Sequence, residues 1–246
     1  MAGLNVIEGW VRDRGRLHFT LIDPDKQAPA KAGELARLAE SLGSDAIMVG
    51  GSTAGGKLTD ECTKAVKESC RLPTILFPSK AGGVSARSDY IFWMMLMNSS
   101  NRRFLVGEQV KAAIPLSKTS VKPISMGYVV VSTSSRPTTV EVVGEVDRIS
   151  ENEVEKAVSY ALAAQYFGMH CVYLESGSGA EKTVPEEMIK GVKKNLAIPL
   201  IVGGGIRDAK TAETVVEAGA DVIVTGTIAE QKPEKLGGII AAVKAF

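Results

Sequence analysis

Short apolar runs rich in β-branched residues recur along the chain, each closed by turn residues and followed by a stretch with helical periodicity. Residues 17–22, 46–50, 73–77, 90–96, 125–131, 170–174, 199–202 and 221–225 read as strands. Between and after them, 31–42, 60–70, 103–114, 153–167, 185–196, 209–218 and 235–245 read as helices. Strands that are apolar at nearly every position are covered on both faces, which requires a parallel sheet dressed with helices. Eight such units in 246 residues predict an α/β fold, a single (β/α)8 TIM-barrel domain spanning 1–246. A dinucleotide-binding open sheet would carry its Gly-rich turn after the first strand, where this chain has Asp23-Pro24-Asp25-Lys26 instead. Two segments break the rhythm. Residues 78–89 are too short and too rich in Gly and Ser for a full helix, so the helical layer is incomplete after strand 3 and a groove can open there. Residues 132–150 form a long polar connection after the fifth strand, placed to act as a mobile lid.

Composition narrows the partners. Lys and Arg number 29 against 28 Asp and Glu, so no net field gathers nucleic acid or an anionic membrane, and any anion must be caught locally. Residues 1–16 interleave Glu8, Arg12, Asp13 and Arg14 with apolar positions, unlike a signal peptide, and no run approaches the ~18 apolar residues of a membrane span. Leu4, Ile7, Trp10 and Val11 recur at helical spacing, which predicts a short helix packed on the barrel. Cys62, Cys70 and Cys171 form no C-x-x-C pair and lie inside predicted elements, as expected of reduced thiols in the cytoplasm. The outer helices leave room for a homo-oligomer without requiring one.

Chemistry in this architecture gathers at the C-terminal ends of the strands. Gly203-Gly204-Gly205 follows strand seven and Gly226-Thr227 follows strand eight. Glycine lets backbone N–H groups approach an anion closely, and the helix opening at Arg207-Asp208 adds its N-terminus, so two neighbouring turns make a phosphate cradle. The same turns serve barrels of unrelated function, including sugar-phosphate isomerases and lyases and non-catalytic phosphate sensors. Glu175, at the end of strand six, can accept a proton from a hydroxyl or merely order its Gly/Ser loop. Asp23, ending strand one, and Ser52, after strand two, offer the carboxylate and hydroxyl that Mg2+ accepts alongside water and phosphate oxygens. A lone Asp-Pro also opens ordinary turns. None of the eight runs contains a lysine, which disfavours a Schiff base, and His18 and His170 stand near strand starts, away from the reactive end.

Taken in order, Leu21-Ile22-Asp23-Pro24-Asp25-Lys26, Gly50-Gly51-Ser52, Phe77-Pro78-Ser79, Tyr173-Leu174-Glu175-Ser176-Gly177-Ser178-Gly179-Ala180, Gly203-Gly204-Gly205-Ile206-Arg207 and Gly226-Thr227 resemble the geranylgeranylglyceryl phosphate synthase family. The likeness runs from the first strand to the last, and its most specific part is the Tyr-Leu-Glu-Ser-Gly-Ser-Gly-Ala segment. It implies a cytoplasmic prenyltransferase that joins the C3 hydroxyl of sn-glycerol 1-phosphate to C1 of geranylgeranyl diphosphate and releases diphosphate. It further implies Mg2+ at Asp23 and Ser52. Glycerol phosphate would be held by Tyr173, Leu174, Glu175, Ser176, Gly177, Ser178, Gly179, Gly204, Gly205, Gly226 and Thr227, with Glu175 as the base. The bacterial branch has a lysine where this chain has Leu21 and tends to Gly-Asn where it has Gly226-Thr227, so the resemblance is to the archaeal type. The prenyl tail would follow the groove at 78–89 beside Phe92 and Trp93, aromatics that equally suit an ordinary barrel core.

Overall fold

In a computed structural model that describes residues 5–51 and 55–246, eight parallel strands close into one barrel in sequence order. They are β1 (Leu17–Ile22), β2 (Ala46–Val49), β3 (Thr74–Leu76), β4 (Tyr90–Leu96), β5 (Lys122–Val130), β6 (Cys171–Glu175), β7 (Leu200–Gly203) and β8 (Val222–Thr225). Closure is made where β1 lies beside β8, with Leu17 opposite Val222 and Thr20 opposite Thr225. The helices are α1 (Val6–Arg14), α2 (Pro29–Ser41), α3 (Gly56–Ser69), α4 (Glu108–Ser117), α5 (Thr139–Val143), α6 (Val154–Tyr166), α7 (Glu186–Asn195), α8 (Ala209–Glu217), α9 (Thr227–Gln231) and α10 (Leu236–Lys244).

Side chains alternate across each strand, and the sequence fills both faces accordingly. Inside the barrel, Leu17 and Phe19 of β1 meet Met48, Ile75, Phe92, Met126, Tyr173, Ile201 and Val224. Outside it, Ile22, Ile47 and Val49 pack under α2 and α3, while Val172, Leu174, Val202 and Ile223 pack under α6, α7 and α8. After β3 there is only a single turn, Ala81–Gly83, so the helical layer is incomplete where the Gly/Ser-rich segment predicted. The following layer begins with one wide helical turn, Arg103–Gly107, before α4. α1 closes the N-terminal end: Asn5 accepts the Glu8 N–H at 3.0 Å, Ile7 is fully buried, and the Trp10 ring stands edge-on to Phe19 and Tyr90. Leu4, which belongs to the same predicted stripe, lies outside the described residues, as does Ser52.

The connection at 132–150 is more ordered than a free lid. It contains α5, whose capping box pairs Thr138 with Glu141, and Ser132 donates to Glu141 Oε1 at 2.6 Å. Thr133 donates to the Lys182 carbonyl at 2.8 Å and the Glu181 N–H donates to Ser134 at 3.0 Å. These bonds tie the loop after β5 to the loop after β6.

His18 points outward from β1 into the strand–helix layer, not toward solvent at the silent end. Its Nδ1 lies 3.1 Å from Ser44 Oγ and its Nε2 2.9 Å from Thr225 Oγ1. Burial, aided by the nearby Lys244 charge, holds its pKa down at about 3. The unfolded chain, with an ordinary histidine, therefore binds the proton first. Stability is full above about pH 6.5 and declines as pH falls toward 3, by about 1.4 kcal/mol per unit. Urea unfolding of His18→Gln between pH 7 and 4 is expected to show a shallower dependence than the parent; equal slopes would remove His18 as the cause. His170, half-buried, accepts the Ser125 N–H at 3.2 Å and stays at the strand starts as expected. All three cysteines are unpaired, and no described helix is long and apolar enough to cross a membrane.

Candidate active site

Because all strands run the same way, their C-terminal residues converge on one mouth, where a cavity of about 370 Å³ opens. Asp23, Gly51, Tyr173, Glu175, Gly177, Ser178, Gly179, Gly204, Gly205, Gly226 and Thr227 all line it, so residues as far apart in sequence as Asp23 and Thr227 meet as the sequence predicts. Leu174 and Ser176 do not line it. Strand alternation sends Leu174 outward into the helix-covered core, and Ser176 is fully buried with its N–H on the Gly203 carbonyl.

Glu175 and Tyr173 are two apart on β6 and therefore both face inward. Glu175 is buried, and its Oε1 accepts the Gly177 N–H at 2.6 Å. Burial raises its pKa; the Tyr173 hydroxyl and the Gly177 N–H act in the opposite direction without cancelling the rise. The Tyr173 hydroxyl is buried close to the Glu175 carboxylate and makes no other hydrogen bond among the described residues. Gly204 and Gly205 adopt φ of +82° and +69°, open to glycine and strained for other residues. This conformation turns the β7 loop against Glu175 and the N–H groups of Ser176 and Gly177. Arg207 donates to the Ala180 carbonyl at 2.6 Å, fastening the loops after β6 and β7 together.

Across the mouth, the Asp23 backbone N–H donates to Glu230 Oε1 at 3.0 Å, and Asp23 Oδ1 accepts the Asp25 N–H at 3.1 Å. Gly51 lies so close that a methyl group there would overlap the Asp23 carboxylate. Burial and the Asp23 charge raise the Glu230 pKa, against the pull of the Asp23 N–H and Lys26. Among the described residues no three metal-binding side chains cluster. The donor set is thus the Asp23 carboxylate, which Lys26 approaches to 3.2 Å, with the Glu230 carboxylate behind it. It fits a hard cation completed by water and phosphate oxygens and does not fit a caged zinc. Glu230 escaped the sequence reading because the short α9 that carries it gives no periodic signal; Lys232 and Lys235, just beyond it, also line the cavity.

A second, apolar groove opens from the same mouth. Pro78, Ala81, Ile91, Phe92, Trp93, Leu96 and Phe104 line it, and Ser79, Met94, Tyr128 and Val140 are shared by both cavities. Phe92 is both core and groove wall: it is buried, meets Phe77 edge-on, and shows its other side to the groove. Glu108 pins the groove's far wall by accepting the Ala81 N–H at 2.8 Å and Arg103 Nε at 2.7 Å. Although burial acts upward, these donors and Lys111 bring its pKa down to about 2.

Residues 8–244 match the PcrB family. The chain is 48% identical over 220 residues to the geranylgeranylglyceryl phosphate synthase of Pyrococcus horikoshii, covering 89% of this chain and 85% of that one. It is 50% identical over 219 residues to the enzyme of that name from Pyrococcus furiosus, covering 89% and 86%. The crystal structure of (S)-3-O-geranylgeranylglyceryl phosphate synthase from Thermoplasma acidophilum, in complex with its substrate sn-glycerol-1-phosphate, superposes with a TM-score of 0.92 at 42% identity. That match covers 99% of this chain and 100% of the other.

Proposed function

The chain belongs to the PcrB family, and from that premise we infer that it forms the ether bond between the C3 hydroxyl of sn-glycerol 1-phosphate and C1 of geranylgeranyl diphosphate, releasing diphosphate, as in archaeal membrane lipid synthesis. One observation supports this reading above others: a polar cavity with two glycine turns and a buried carboxylate runs directly into an apolar groove. A sugar-phosphate isomerase or a phosphate sensor has no use for that groove.

The acceptor phosphate sits on the turns at Gly204, Gly205, Gly226 and Thr227, with Ser178 and Gly179 closing over it. The glycerol hydroxyls then reach Glu175 and the Tyr173 hydroxyl beside it. The prenyl tail lies between Phe92, Trp93 and Phe104, which puts C1 near Tyr128 and Met94 where the cavities join. Glu175 takes the proton from the C3 hydroxyl as its oxygen bonds to C1, and the C1–O bond to diphosphate breaks with its electron pair on the leaving group. Holding the two reactants in this geometry replaces an encounter in solution. Asp23, with Ser52, would hold Mg2+, whose charge eases departure of the diphosphate.

Purified protein incubated with sn-glycerol 1-phosphate, geranylgeranyl diphosphate and Mg2+ is expected to yield the ether, detected by mass spectrometry, and EDTA is expected to suppress it. Asp23→Asn should need more Mg2+ for half-maximal rate. Absence of the ether would refute the transferase reading, while a rate indifferent to EDTA and to Asp23→Asn would refute the metal assignment alone.

A further inference from the structure

Lys26 touches both halves of the site. Its ammonium lies 3.2 Å from Asp23 Oδ2 and 4.0 Å from Glu230 Oε2, and it donates to Ser178 Oγ at 3.0 Å. Ser178 Oγ stands 3.3 Å from Thr227 Oγ1. One cation therefore spans the distance from the carboxylate that would take a divalent ion to the hydroxyls that would take the acceptor phosphate. Lys232 and Lys235 line the same cavity, yet among the described residues no ion pair joins either to Asp23 or Glu230. Lys26 alone of the three is held between the two.

The electrostatics of loading push its ammonium one way. Before loading, Asp23 and Glu230 draw the ammonium toward themselves. A divalent cation at Asp23 neutralises that carboxylate and repels the ammonium at close range, while a phosphate beside Ser178 and Thr227 attracts it. The side chain is a flexible four-carbon stem, about half exposed, so its tip can follow without moving the backbone. We propose that Lys26 is a phosphate-binding residue restrained by Asp23 and Glu230, and that a divalent cation releases it, so that cation and glycerol phosphate bind cooperatively. The coupling rests on the metal reading of Asp23, and by linkage it is reciprocal: glycerol phosphate strengthens cation binding by the same factor.

Calorimetric titration of sn-glycerol 1-phosphate, with inorganic diphosphate present and no prenyl donor, tests this without turnover. In the parent protein, Mg2+ in place of EDTA is expected to tighten binding about 5-fold or more. Lys26→Met should bind roughly 10-fold more weakly in Mg2+, the loss of one charged hydrogen bond, and should lose the Mg2+ effect. Lys26→Arg should retain that effect. Mn2+ binding, followed by paramagnetic resonance, should be tighter in Lys26→Met without acceptor, because the competing ammonium is gone. If Mn2+ binds but glycerol phosphate affinity ignores it, the coupling is wrong and the metal reading stands. If Mn2+ does not bind, both fall. A Lys26→Met protein that titrates like the parent overturns the role of Lys26.

Discussion

Glu175→Gln is expected to lower kcat by ~10²–10⁴ while leaving glycerol phosphate affinity within a few-fold of the parent. Glutamine keeps the shape of the side chain and an oxygen to accept the Gly177 N–H, now made at 2.6 Å, so the loop after β6 has no reason to move. What it lacks is the ability to take the proton from the C3 hydroxyl. The pH profile separates this from a packing effect. Because burial raises the Glu175 pKa, the acid limb of kcat/KM should lie above the ordinary carboxylate range in the parent and disappear in the variant. Stability should move in the opposite direction. A carboxyl whose pKa is raised on folding favours the fold when protonated, so its ionised form is a net cost at neutral pH. Glu175→Gln removes that cost and is expected to leave Tm equal or higher, as at sites where function is held against stability. Unchanged turnover, or a variant with a markedly lower Tm, would rule out this account of Glu175.

What the sequence discloses depends on how local the determining interaction is. β1 and β4 coincide with their predicted bounds because turn residues flank continuous apolar runs, whereas β5 starts three residues earlier than 125, at Lys122. That lysine is exposed at the silent end of the barrel and is no candidate for a Schiff base. Period alone could not reveal α5 or α9, since five residues do not complete two turns. The site divides in the same way. Asp23, Glu175 and the glycine turns were readable because the fold sends strand ends to one mouth. The Tyr-Leu-Glu-Ser motif was readable as a unit, but the strand beneath it puts Leu174 on the opposite face from its neighbours. The Asp23 N–H on Glu230, 207 residues apart, depends on the closure of β8 against β1 and has no local trace.

That dependence on backbone placement makes Gly204 the cradle position whose substitution bears most directly on Glu175. At φ +82° a β-carbon carries about 1–2 kcal/mol of strain, and it would overlap Glu175 Oε1 and sit 2.9 Å from the N–H nitrogens of Ser176 and Gly177. Gly204→Ala should therefore fold, with Tm lower by several degrees, since ~1 kcal/mol shifts a barrel of this size by about 2–4 °C. Its kcat/KM for the acceptor should fall about 10²-fold or more, because the methyl displaces the base and a displacement near 1 Å is worth that much. Gly205→Ala supplies the contrast. At φ +69° its methyl meets main-chain atoms of Lys182 and Thr183, which cannot rotate aside, so the loops after β6 and β7 must part. That variant should lose more stability than Gly204→Ala, with its activity loss following the unfolding. Circular dichroism melts alongside steady-state kinetics distinguish the two patterns. Gly204→Ala with parental kcat/KM would show that the turn after β7 does not position Glu175, and the acceptor would then have to be held elsewhere in the mouth.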